Sequence, residues 1–359
     1  MLAGNKGEWS EIYVFLKLLA DGRLNAADAN LNAIPNVYYP IIKILRQENN
    51  INREYRINGN IRIFDGENNE LLNLPIADFV NRSQQLFNEL RNAEGRSFAF
   101  EDIESFLNSI DIHSLTALKT DKADIKVVVH DLNTGMQPKL GFSIKSMLGG
   151  NSTLFNPGNT TNFIYEITGV GGDLNIDEIN AIENSPKIAN RISAIRASGF
   201  DVNFKSIQSA TLQLNLQLID SDLPQILAEL LLLKYSTPGS ALLAPTLDQL
   251  TINNPLNFDL SQGHPFYEYK IKNFLTDSAL GMTPATMWNG QYDATGGIII
   301  VKENGELVCY HIYNRNEFQN YLLNNTRLEQ ASTSRYNFGD VYREDGRTFI
   351  KLNLQVRFN

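Results

Sequence analysis

Residues 124–146 constrain the fold of this chain more than any other stretch. Ile125 to Leu132 (IKVVVHDL) is rich in β-branched residues, Asn133-Thr-Gly-Met-Gln-Pro138 supplies turn chemistry, and Leu140 to Ser146 (LGFSIKS) returns as a second strand. Side chains two apart on a strand point to one face, so Ser143 and Lys145 project together, and Asp124 stands where the first strand enters. Together the two strands read as a β-hairpin, expected at one edge of a cleft in a mixed β-sheet flanked by helices.

The rest of the chain supplies candidate cover. Trp9 to Leu19 places apolar residues at almost every angle of a helical wheel, which predicts a buried helix. Strand-like runs follow at Val37 to Leu45 and Tyr55 to Phe64, then helices at Ile76 to Leu90 and Phe100 to Ile110. A polar loop, Gly149-Gly-Asn-Ser-Thr153 with Asn156-Pro-Gly158, separates the central hairpin from a strand at Phe163 to Thr168. Asn175 to Leu233 reads as mainly helical and Ser236 to Phe258 as a connector. A second hairpin is expected from Gly296 to Ile312 around the turn Asn304-Gly305, and a last strand from Thr348 to Phe358.

Composition narrows the class. The 359 residues, 43% hydrophobic and 20% charged, are enough for a large core. No run reaches the roughly 18 apolar residues of a membrane span, and no signal peptide is evident, which places the chain in the cytoplasm. The single Cys309 cannot form an internal disulfide, and His113, His130, His264 and His311 are not spaced with it as zinc ligands. A net charge of -9 argues mildly against nucleic acid, although whole-chain charge says little about one cleft.

An acid at one strand, followed by a polar residue and a lysine two apart on the next, resembles the layout of the PD-(D/E)XK nucleases. There, acidic groups hold Mg²⁺ and the lysine orients or deprotonates the attacking water. Polar residues on the solvent face of an ordinary hairpin give the same spacing, so the spacing alone does not decide. Pro is absent before Asp124, and Ser143 replaces the second carboxylate. A hydroxyl is a poor magnesium ligand, so a carboxylate should arrive from elsewhere. Glu11 is the first candidate, because its one-turn neighbours on the N-terminal helix are Gly7, Glu8, Val14 and Phe15, none of them a cation. The opposing reading, of equal weight, leaves Glu11 hydrated in a first helical turn that favours acids. Glu166 is the second candidate and Glu8 the third.

Longer pieces carry a more specific resemblance. Gly7-Glu-Trp-Ser-Glu-Ile-Tyr-Val-Phe-Leu-Lys-Leu-Leu19, Lys122-Ala-Asp-Ile125, Gly141-Phe-Ser-Ile-Lys-Ser146 and Thr161-Asn-Phe163 resemble the HpaII family of restriction endonucleases. So do Pro265-Phe-Tyr-Glu-Tyr-Lys270, Leu280-Gly-Met282, Trp288-Asn-Gly290 and Asn353-Leu-Gln-Val-Arg-Phe358, so the resemblance runs nearly end to end. It implies an α/β, restriction-endonuclease-like (PD-(D/E)XK) mixed β-sheet flanked by helices, with additional helical and β-hairpin elements in the C-terminal half. It also implies Mg²⁺-dependent hydrolysis of double-stranded DNA at a short palindrome, CCGG for the founding enzyme, and a cognate methyltransferase. By position Asp124 would hold the metal, Lys145 would be the catalytic lysine, and Ser143 would stand for the usual acid, with Glu11 the first candidate for the missing carboxylate.

The expected division is a catalytic core with its N-terminal helix over 1–169 and a recognition and supporting region over 170–359, with one continuous domain left open. Asn151, Ser152, Thr153, Asn156, Thr161 and Asn162 are of the type that contacts phosphates or bases, and polar loops look alike whether or not they do. Arg335 could read guanine, or be an ordinary surface arginine. Trp288 could approach a groove or plug the core, while His264 and His311 read as structural. Cutting both strands of a palindrome suggests a homodimer at least on DNA. The alternatives are a nuclease of repair or recombination acting on DNA structure, and a DNA-binding module without catalysis.

Overall fold

The structure is a computed structural model, and it describes residues 1–48, 51–116, 123–132, 134–169, 172–237 and 241–359. Lys122 in the motif before Asp124, and Asn133 in the hairpin turn, lie outside the described residues.

In chain order the first elements are α1 (Lys6–Asp21), β1 (Arg23–Ala27), β2 (Ala33–Glu48), β3 (Ile51–Asn58), β4 (Asn60–Phe64) and β5 (Glu70–Leu74). Next come α2 (Ile76–Asn92), α3 (Glu101–Ser109), β6 (Ile125–Val129), β7 (Lys139–Ser146), β8 (Thr153–Phe155) and β9 (Asn162–Gly169). A helical stretch follows: α4 (Ile176–Asn180), α5 (Lys187–Ala197), β10 (Phe200–Ile207), α6 (Ala210–Ile219), α7 (Leu223–Ser236), α8 (Leu243–Asn253) and α9 (Phe266–Leu280). The chain ends with β11 (Gly297–Val301), β12 (Leu307–His311), α10 (Arg315–Asn324), β13 (Thr326–Leu328), α11 (Thr333–Tyr336), β14 (Val341–Glu344), β15 (Arg347–Asn353) and β16 (Val356–Phe358).

These elements form two compact units. One comprises Met1–Ser152, Ala279–Gly281 and Tyr292–Tyr321, and the other Thr153–Ser278, Met282–Gln291 and Leu322–Asn359. The first division therefore falls at Ser152/Thr153, not at 169/170, and the first unit takes back the late β11–β12 hairpin. That hairpin is local and legible by itself. Its partners are not, because β11 pairs in parallel with β7, and β12 in parallel with β1.

In the first unit, nine strands run in the order β1-β12-β11-β7-β6-β2-β3-β4-β5 among the described residues. The mixed sheet flanked by helices is present, with a closure the sequence does not announce. β1 pairs with β2 as well as β12, so β1, β12, β11, β7, β6 and β2 close a six-stranded ring. The 16-residue length of β2 allows this, since Ala33 to Pro40 lies along β1 while Ile41 to Leu45 lies along β6.

α1 is held at both ends by its own sequence. Asn5 and Glu8 form a reciprocal capping box, with Glu8 N–H on Asn5 Oδ1 at 3.1 Å and Asn5 N–H on Glu8 Oε2 at 2.8 Å. Gly22, left-handed at φ 66°, stops the helix and donates to Leu18 O at 3.0 Å. Trp9, Ile12, Tyr13, Val14, Phe15, Leu16, Leu18 and Leu19 are all buried, as a helix apolar on all sides requires. It shares one core with Ile125, Val127 and Val129 of β6, Phe142 and Ile144 of β7, and Ile299 and Val301 of β11.

The second unit contains a four-stranded sheet, β10-β9-β15-β14, and a three-stranded one, β13-β16-β8, among the described residues. Three local expectations change. Tyr55 to Phe64 is two strands, because Gly59 at φ +70° turns the chain. The region read as mainly helical contains β10, whose alternating FDVNFKSI has the period of a strand. The connector after Ser236 holds α8, whose Pro245 lies in the first turn, where no intrahelical N–H is needed.

Candidate active site

The central hairpin sits inside the sheet. β6 and β7 pair antiparallel with Ile125 opposite Phe142 and Lys126 opposite Gly141, and they are flanked by β2 and β11. Strand alternation sends Ile125, Val127, Phe142 and Ile144 into the α1 core. It therefore sends Asp124, Lys126, Ser143 and Lys145 to the opposite face. Gly141 is required by close approach: a Cβ there would meet Ala123 Cβ at 2.8 Å and Asp293 O at 2.9 Å. The absent side chain lets the residue before Asp124 lie against β7.

Asp124 is fixed by β7. Its N–H donates to Phe142 O at 2.8 Å, and its Oδ2 accepts from Ile144 N–H at 2.6 Å and from Ser143 Oγ at 3.1 Å. Ser143, 3% exposed, thus holds Asp124 in place. Among the described residues Oδ1 accepts no hydrogen bond, so one carboxylate oxygen is anchored and the other is open. Lys145 is half-buried beside Ile300 and, among the described residues, makes no hydrogen bond or ion pair. An uncommitted cation therefore shares a face with an open carboxylate oxygen.

That donor set suits a hard cation bound with much of its hydration. Among the described residues no group of three His, Cys, Asp or Glu side chains comes close enough to hold an ion. Mg²⁺ commonly uses one or two carboxylates, several waters and substrate phosphate, and Asp124 Oδ1 is placed where it would fit as the first of these.

The three candidate glutamates separate. Glu8 is occupied by the α1 capping box. Glu166 lies on β9 in the second unit, 3.3 Å from Lys205 and 3.6 Å from Arg347. Glu11 is half-buried on α1. That helix covers the face of the hairpin opposite Ser143 and Lys145, so any reach from Glu11 toward Asp124 passes round the strand end. The first turns of α1 do lie at that end: Ser10 Oγ donates to Ser146 Oγ at 2.8 Å, one residue past Lys145.

The polar candidates for DNA contact fall into two groups. Asn151, Ser152 and Thr153 are half-buried and Asn156 is exposed. Thr161 and Asn162 are fully buried, which corrects the expectation that they offer their side chains to DNA. Asn353 Nδ2 donates to Thr161 Oγ1 at 3.1 Å and to Asn162 Oδ1 at 2.7 Å. Asn162 Nδ2 in turn donates to Tyr336 O at 2.8 Å. The pair thus braces α11, which carries the exposed Arg335. Trp288 is half-buried and donates through Nε1 to Gln291 O at 2.8 Å, so it stabilises its own turn. His264 is exposed, while His311 is buried against the Tyr39 ring.

One feature of this face escaped the sequence reading. Registers across five strands place Lys139, Lys126, Lys43, Arg56 and Arg62 on the Ser143 and Lys145 side. Each cation occupies an alternate strand position, but their common face depends on the strand order.

The comparisons with known proteins identify the family. The family profile for the HpaII restriction endonuclease matches residues 5–358. The type II restriction enzyme HpaII of Haemophilus parainfluenzae is 44% identical over 358 residues, covering 99% of this chain and 98% of that protein. No solved structure matches the chain. With the profile spanning almost every residue around the anchored Asp124 and the open Lys145, the chain belongs to the HpaII restriction endonuclease family.

Proposed function

We propose that this chain hydrolyses both strands of double-stranded DNA at a short palindrome, CCGG being the site its family resemblance implies, with Mg²⁺ as cofactor. The observation that carries the reading is Asp124, anchored through Oδ2 by Ser143 and Ile144, on the same strand face as the uncommitted Lys145. The hairpin is the PD-(D/E)XK core of the fold, with Ser143 in place of its second acid. Asp124 and Glu11 would hold the ion, which when bound would stabilise charge developing on the phosphate and lower the pKa of water. Lys145, as an ammonium, would orient the attacking water and lie against the phosphate oxygens. Asn151, Ser152, Thr153, Asn156 and Arg335 meet the duplex, with Arg335 suited to guanine, while Thr161 and Asn162 position the elements around them. The first unit is the catalytic one and the second serves recognition. A homodimer on DNA presents one site to each strand, and a methyltransferase protects the host DNA in the cytoplasm.

Digestion of plasmid DNA with sequencing of the cut ends tests the whole reading. The expected result is discrete, Mg²⁺-dependent fragments; a smear without site preference would favour a repair or recombination nuclease. Asp124→Asn and Lys145→Ala should each slow cleavage roughly 10²–10⁴-fold while duplex binding persists. Glu11→Gln should match Asp124→Asn, and Glu166→Gln should leave cleavage intact. Full activity in Glu11→Gln would remove Glu11 from the metal site, and full activity in Lys145→Ala would refute the catalytic face.

A further inference from the structure

We infer that the polar sheet face running from Lys145 away through Lys139, Lys126, Lys43, Arg56 and Arg62 is a seat for the phosphate backbone of duplex DNA flanking the cleavage point. The inference rests on the nuclease reading and deepens it by naming the surface that orients the duplex. Strand pairing sets the row: Lys126 is opposite Gly141 and Leu45, Lys139 opposite Val128, Lys43 opposite Arg56, and Arg56 opposite Arg62. All project to the side that carries Ser143 and Lys145.

Charge identifies the occupant. The chain as a whole is at -9. On this face, among the described residues, the six cations Lys43, Arg56, Arg62, Lys126, Lys139 and Lys145 outnumber the four carboxylates Asp124, Glu54, Asp65 and Glu70. The glutamates fix cations in the row. Glu54 takes Lys43 Nζ at 2.9 Å and Arg56 Nη2 at 2.6 Å, while Arg62 pairs with Glu70. Lys139 is exposed. A groove of about 360 Å³ opens here, lined by Arg56, Lys126 and Lys139 together with Glu54, Asp65 and Asn68 among others.

Length identifies it further. From β7 to β4 the row crosses four strand spacings, about 19 Å at ~4.8 Å each. That is more than half a turn of B-DNA, about 34 Å, along which backbone charge recurs at about one per 1.7 Å of axis. A small anion would use one or two of these groups, whereas a duplex beginning at the scissile phosphate would use the row.

The test is the salt dependence of binding to a duplex containing CCGG and to an unrelated duplex, measured by fluorescence anisotropy without divalent ions. Lys126→Gln with Lys139→Gln should make the slope of log Kd against log salt shallower by about two, equally for both duplexes. The charge-conserving Lys126→Arg with Lys139→Arg should restore the wild-type slope. An unchanged slope in the glutamine variant, or an equal loss in the arginine variant, would overturn the phosphate seat while leaving the nuclease reading intact. A wild-type chain that binds neither duplex would overturn both.

Discussion

A carboxylate serves a metal best when its own hydrogen bonds fix it without consuming it. Asp124 meets that condition because Ser143 Oγ and Ile144 N–H share Oδ2. Ser143→Ala should cost one hydrogen bond to a charged group, about 1.5–3 kcal/mol, and leave the Ile144 bond in place. Cleavage should therefore fall by roughly 10–100-fold, a partial loss beside that of Asp124→Asn, as single-turnover rates would measure. His311 makes a separate prediction at this scale. It is 1% exposed, its Nδ1 accepts from Tyr313 N–H at 3.1 Å, and among the described residues its Nε2 has no hydrogen-bond partner. Burial pushes its pKa down to about 4, against the opposing pull of Asp131. In the unfolded chain the ring takes a proton near 6.5, so below that pH the unfolded state binds more protons and stability falls. The loss begins near pH 6.5 and is complete near 4, amounting to about 3 kcal/mol. His311→Asn keeps an acceptor for Tyr313 N–H, and urea unfolding should show a flatter acid limb. Parallel limbs for the two proteins would count against the buried neutral imidazole.

At the scale of elements, β7 depends on a glycine where the active-site strands converge. Gly141→Ala would put a methyl 2.8 Å from Ala123 Cβ and 2.9 Å from the Asp293 carbonyl. Relieving that overlap should cost about 1–3 kcal/mol and shift the residue next to Asp124. A lower denaturation midpoint with a loss of cleavage is expected; stability lost with full activity would show that the strain is absorbed away from Asp124. This hairpin was legible because β-branched residues and a period of two are local signals, and Asp124, Ser143 and Lys145 were legible with it. The α1 helix was legible for the same reason. The cation row and the ring were not, because the row depends on β2 pairing with β6, and the ring on β1 with β12 and β7 with β11, segments far apart in the chain for which no local pattern names a partner. Thr161 and Asn162 misled the reading in another way: polar residues that follow a loop look like ligand contacts, and only the Asn353 amide shows them to be scaffolding.

At the scale of the molecule, the same long-range pairing decides which fragments can stand alone. A chain cut to residues 1–169 keeps α1 and the central hairpin but lacks β11 and β12. It thereby loses Ile299, Val301, Leu307 and Cys309 from the α1 core, opens the β7 edge, and removes the partner that lets β1 close the ring. Burial of the three aliphatic side chains alone is worth about 1.5–3 kcal/mol each, comparable in sum with the 5–15 kcal/mol that hold a typical domain together. The 1–169 fragment should therefore show no cooperative thermal transition by circular dichroism. Adding a separate peptide of residues 292–321, which carries both strands, should restore one by filling the gap between β7 and β1. A cooperative transition in the fragment alone would mean that the late hairpin decorates a core already complete. Its absence, with rescue by the peptide, would mean that the catalytic face is assembled only after the chain has passed through the second unit and returned.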